Sequence, residues 1–123
     1  MPKDTLRGRR ILIAEDEYFI ADELSTELVE AGAEMMGPVA SVKSGLQLLA
    51  TETVPDAASL DVNLGGENVY PLADALIARG VPFVFMTGYD QASIPASYAH
   101  IRCVEKPAGP ETVLMELEKL LRI

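Results

Sequence analysis

Asp56-Ala57-Ala58-Ser59-Leu60-Asp61 is a short apolar run that ends on a carboxylate, and the chain repeats this arrangement elsewhere. Glu15-Asp16 follows Ile11-Leu12-Ile13-Ala14, and Thr87 ends the run that begins at Val81. Lys106-Pro107 follows the stretch from Ile101 to Glu105. Four separated segments therefore each end on a residue suited to metal or phosphate chemistry. If the segments are parallel strands, their carboxyl ends share one edge of a sheet, where open α/β sheets place their sites.

The intervening segments read as helices. Glu17 to Ala31 carries Ile20, Leu24 and Leu28 at i+4 spacing before Gly32, a natural stop. A weaker strand, Glu34 to Val39, precedes Ser41, which reads as the N-cap of a helix carrying Val42, Leu46 and Leu49. After Gly65-Gly66, Pro71 suits the first turn of a helix that stops at Gly80. Val81 to Met86 is apolar throughout, as in a strand covered on both faces. Asp90 to His100 is the weakest helix, with Pro95 in its middle, and is expected to be short, distorted or mobile. A last helix starts near Pro110 and buries Val113, Leu117, Leu120 and Leu121. Five strands alternating with five helical segments predict a doubly wound α/β domain with helices on both faces.

Composition narrows the function. A chain of 123 residues is one domain with room for a core. A net charge of −9, from 19 acidic and 10 basic residues, repels nucleic-acid phosphates and argues against direct binding to them. No apolar run is long enough to span a membrane, and Glu15 arrives too early for a signal-peptide core. Cys103, the lone cysteine, allows no internal disulfide and suits a reducing cytoplasm; it reads as a small buried residue. His100 reads as a surface residue.

Taken singly, the candidate residues are unremarked. Glu15 or Asp16 suits a helix N-terminus, Thr87 a turn, Lys106 a solvated surface and Asp61 a loop. Four such residues at four strand ends favour a site. With the first and third strands adjacent, Glu15, Asp16 and Asp61 crowd together, and their mutual repulsion calls for a cation. Magnesium fits, since it takes oxygen ligands and keeps waters that Glu15 could hold; a backbone carbonyl near Asn63 could add a ligand. A carboxylate beside magnesium can attack a phosphoryl donor to give an aspartyl phosphate. Lys106 would supply charge and Thr87 a hydroxyl donor, with the amides of Asn63 and Gly88 completing the cradle. Lys106-Pro107 is a candidate for a cis peptide. Tyr89, two residues after Thr87, could shield the phosphoryl group from water. The run from Asp61 to Gly66 begins like a calcium loop, but Leu72 stands where a bidentate Glu is needed, which excludes an EF-hand.

These motifs together identify a resemblance that runs along essentially the whole chain. Ile11 to Glu17, Leu60-Asp61-Val62-Asn63-Leu64, Met86-Thr87-Gly88 and Glu105-Lys106-Pro107 resemble the receiver domains of two-component response regulators. The resemblance implies a flavodoxin-like five-stranded parallel sheet of order 2-1-3-4-5. It implies Asp61 as phosphoacceptor, Glu15, Asp16 and the Asn63 carbonyl around Mg2+, Thr87 as switch hydroxyl and Lys106 as the phosphate-contacting cation. The donor would be a histidine kinase or a histidine phosphotransfer protein. A downstream protein would bind the fourth helix, fifth strand and fifth helix, with the domain a monomer or weak homodimer.

Two positions depart from the common pattern. Cys103 stands three residues before Lys106, where the family usually carries an aromatic switch residue. Phe85-Met86-Thr87-Gly88-Tyr89 is similar to the Phe-x-Thr-Gly-Tyr signature of an atypical alphaproteobacterial group, often single-domain with an irregular fourth helix. The expectation is a single receiver domain over 1–123, with no output domain after the last helix. It would catalyse only its own phosphorylation and dephosphorylation. The rivals are a phosphorylation-independent interaction module, a receiver fragment of a hybrid histidine kinase, and a magnesium-dependent phosphohydrolase. The last is disfavoured because Asn63 stands where a second aspartate is needed and no cap insertion is present.

Overall fold

The computed structural model describes residues 4–51, 53–88 and 94–123. In chain order they form β1 (Arg10–Ala14), α1 (Tyr18–Glu30), β2 (Glu34–Val39), α2 (Val42–Thr51) and β3 (Ala57–Asp61). A small hairpin of β4 (Asn63–Leu64) and β5 (Glu67–Asn68) then precedes α3 (Tyr70–Ala78). β6 (Phe83–Thr87), a 3-10 turn (Ala96–Tyr98), β7 (Cys103–Glu105) and α4 (Pro110–Leu120) complete the fold. The main sheet is parallel, in the order β2-β1-β3-β6-β7. That is the expected 2-1-3-4-5, because the two hairpin strands pair only with each other.

Strand alternation sorts the core into two layers. Leu12, Ala58, Leu60 and Phe85 face α2 and α3, whereas Ile11, Ile13, Val84 and Met86 face α1 and α4. Residues buried on both faces explain why β3 and β6 are uninterrupted by exposed positions. The helices turn inward slightly differently from the expected i+4 stripes. Ala21, Leu24 and Leu28 are buried in α1, and Val42, Gly45 and Leu49 in α2, so both stripes run i, i+3, i+7. Ile20 and Leu46 are therefore partly exposed. Gly45 explains the choice in α2: an added Cβ would lie 2.8 Å from Leu72 Cδ2, so the missing side chain lets α3 approach.

Several local expectations hold. Ser41 caps α2, its Oγ accepting the Ser44 N–H at 3.1 Å. Pro71 sits in the first turn of α3, and Lys106-Pro107 is cis, as is Gly37-Pro38. The weak segment after β6 contains only the 3-10 turn among its described residues; Tyr89 and Asp90 lie outside them. Cys103 is half-buried rather than buried, its thiol directed to the Ile101 carbonyl at 3.8 Å, while His100 is exposed. Leu120 and Leu121 are only partly buried, and Leu114 and Glu116 join Val113 and Leu117 on the inner face of α4. No described helix is long and apolar enough to cross a membrane.

Candidate functional site

Strand register brings the chosen residues to one edge. β1 and β3 pair Ala14 with Leu60, so Glu15 and Asp61 are the next residues on adjacent strands. β3 and β6 pair Asp61 with Met86, and β6 and β7 pair Thr87 with Glu105. Lys106 follows directly, its N–H donating to the Thr87 carbonyl at 2.7 Å. The parallel sheet thus converts residues far apart in sequence into neighbours.

The side chains form a compact charged cluster. One carboxylate oxygen from each of Glu15, Asp16 and Asp61 lies within 4.8 Å of the others. Glu15 and Asp61 are buried and Asp16 is exposed. The Lys106 ammonium is 2.9 Å from Asp61 Oδ2 and 3.1 Å from Glu15 Oε1, so one cation answers two carboxylates. Glu15 Oε2 also accepts the Glu17 N–H at 3.1 Å. Burial raises the Asp61 pKa to about 6, with the negative charge of Glu15 adding to the rise and the Lys106 hydrogen bond opposing it. Burial also works against the Lys106 charge, but the bonds to Asp61 and Glu15 overcome it and raise its pKa.

The donor set is all carboxylate oxygen, which suits a hard cation such as Mg2+ and not a soft transition metal. Asn63, exposed at the start of β4, sits two residues past Asp61, and its Oδ1 accepts the Gly66 N–H at 3.1 Å. Thr87 is buried at the end of β6 and Gly88 is exposed beside it. A groove of about 490 Å³ runs from Glu15 and Lys106 between α1 and α4, over Ser59 and Met86.

The sequence reading missed the β4–β5 hairpin and the amide it presents to the site. The Gly65 N–H donates to Asp16 Oδ2 at 3.2 Å. The signal was available: a Gly-Gly pair between two short segments is a hairpin signature.

No family model matches the chain. It is 30% identical over 118 residues to the sensory transduction protein LytT of Bacillus subtilis, and spans 93% of this chain and 48% of LytT. The chain thus spans about half the length of the curated relatives it matches. Among solved structures it is similar to SdrG from Sphingomonas melonis Fr1, with 36% identity and a TM-score of 0.70 over 95% of this chain and 98% of that one. It is also similar to a putative response regulator from Chloroflexus aurantiacus, with 25% identity and a TM-score of 0.78 over 94% of this chain and 98% of that one.

Proposed function

Because the chain belongs to the receiver domains of response regulators, we propose that it accepts a phosphoryl group on Asp61 and signals through phosphorylation-dependent protein contacts. One observation carries this reading. A buried aspartate at the carboxyl end of a central strand is held 2.9 Å from a lysine ammonium, within a cluster of three carboxylates.

The donor is a histidine kinase or a histidine phosphotransfer protein. An Asp61 carboxylate oxygen attacks phosphorus, the bond from phosphorus to the donor imidazole breaks, and the imidazole takes a proton from solvent. The product is an acyl phosphate. Lys106 would neutralise phosphoryl oxygens, and the Thr87 hydroxyl would donate to one of them. Glu15, Asp16, Asp61 and the Asn63 carbonyl would hold Mg2+, which when bound offsets negative charge on the carboxylates and the phosphoryl group. The chain turns over no substrate beyond its own phosphoryl group.

Phe85-Met86-Thr87-Gly88-Tyr89 supports assignment to the Phe-x-Thr-Gly-Tyr group. The segment around the 3-10 turn, β7 and α4 form the partner surface, and the domain works in the cytoplasm as a monomer or weak homodimer. A second reading, with the same reaction inside a longer regulator, is favoured by the greater length of the curated relatives.

Phosphorylation with acetyl phosphate and Mg2+, and in parallel with a promiscuous kinase, tests the proposal by phosphate-affinity electrophoresis. A Mg2+-dependent shift absent in Asp61→Asn is the expected outcome. No shift with either donor would replace the proposal with a phosphorylation-independent binding module.

A further inference from the structure

The three carboxylates of the cluster are not equally restrained. Glu15 is fixed by the Lys106 ammonium and the Glu17 amide, and Asp61 by Lys106. Asp16 is exposed, and the hydrogen bond that reaches it comes from the backbone of Gly65, forty-nine residues along the chain.

Gly65 can present that amide because of its conformation. Its φ is +61°, a region costly for side chains other than glycine, and an added Cβ would stand 3.0 Å from the Ala40 carbonyl oxygen. Gly66 provides the contrast. It also has positive φ, at +86°, but nothing lies within 4 Å of where its Cβ would be, and its N–H bonds back to Asn63 inside the hairpin. Gly66 serves the turn, whereas Gly65 points its amide across to another loop. The hairpin that carries it is anchored by fully buried Leu64 and by the Val69 N–H to the Val62 carbonyl at 2.9 Å.

We propose that Gly65 is a positioning residue whose backbone N–H orients the Asp16 carboxylate for divalent-cation binding, making the β4–β5 hairpin the outer support of the metal site. The inference rests on the Mg2+ reading given above. An exposed carboxylate left to rotate must be ordered when the cation binds, and groups that orient a ligand commonly alter metal affinity by about 10–100-fold.

Replacing Gly65 with glycolic acid turns the Leu64–Gly65 amide into an ester, which removes the N–H and makes the Leu64 carbonyl a weaker acceptor while leaving every side chain in place. The same replacement at Gly66 is the control, since that amide does not reach Asp16. Mg2+ affinity is measured by calorimetry, alongside the Mg2+ concentration giving half-maximal phosphorylation by acetyl phosphate. The Gly65 ester is expected to bind Mg2+ about tenfold more weakly, with a matching rise in half-saturation and an unchanged rate at saturating Mg2+. The Gly66 ester should bind like the parent, and both esters should unfold at similar temperatures without metal. Equal or tighter binding by the Gly65 ester overturns the inference, as does the same loss in the Gly66 ester. A parent protein that binds no Mg2+ overturns the functional reading along with it; a parent that binds and an ester that does not weaken leaves that reading standing and overturns this inference alone.

Discussion

At the residue scale, Asp61 is set against itself. Its burial at the centre of the edge favours the protonated form, and its pKa is pushed up to about 6. A carboxyl whose folded pKa lies above its unfolded value binds an extra proton in the fold between those two values. Folding stability therefore falls as pH rises from about 4 to about 6, and the cost persists at neutral pH. Asp61→Asn is expected to stabilise the metal-free protein by about 1–2 kcal/mol near neutral pH, and to give no gain below about pH 4. Urea unfolding at the two pH values checks this, and an equal gain at both would show that charge is not the cause. Burial, more than repulsion from Glu15, sets this cost, and a cation bound among the carboxylates would offset it.

At the element scale, the described part of the connection after β6 carries a 3-10 turn held by aromatic residues. Tyr98 of the 3-10 turn stacks on Tyr70 with centroids 4.9 Å apart and meets Phe85 edge-on at 5.7 Å. Its hydroxyl donates to Asp74 Oδ1 of α3 at 2.6 Å. That bond is the main reason the Tyr98 pKa rises to about 12, and burial adds to it. Its contribution is present below the ordinary tyrosine pKa of about 10 and is lost as pH rises toward the folded value. Tyr98→Phe keeps the stack and removes the bond. It is expected to cost about 1 kcal/mol at neutral pH and to abolish the late-titrating phenol seen by ultraviolet absorbance. Burial also raises the Tyr70 pKa, so the assignment would be contradicted if as many phenols titrated late in the variant as in the parent.

The aromatic cluster also explains what could and could not be read from sequence. β3 and β6 were legible because they are buried on both faces, and the site was legible because its residues sit directly at strand ends. Ser41 and Pro71 announced their helices through local chemistry. The inward positions of α1 and α2 were not legible, because an i+3 and an i+4 stripe share apolar residues; in α2, packing of Gly45 against Leu72 decides between them. The link from Tyr98 to Tyr70 and Asp74 joins residues that no local period connects. Cys103 pairs with Phe85 across the strands, so the aromatic bulk near this position comes from Tyr70 and Tyr98 instead.

At the scale of the whole molecule, chemistry and bracing occupy opposite edges of the sheet. Before β1 the chain folds beneath it. Leu6 is fully buried, donating its N–H to the Ala31 carbonyl at 2.8 Å and packing in the layer that contains Leu28 and Leu117. Leu6→Ala is expected to lower stability by about 3 kcal/mol while leaving phosphorylation of the remaining folded protein intact. Thermal unfolding and the electrophoretic assay measure the two effects separately, and a loss of phosphorylation in fully folded Leu6→Ala would contradict the separation. Thr5 Oγ1 donates to Glu118 Oε2 at 2.6 Å, so the segment entering β1 and the end of α4 meet at that braced edge. One hydrogen bond therefore fastens the approach to β1 onto the last turns of α4, on the side of the sheet away from the carboxylates, so strain at that seam is kept apart from the reacting groups.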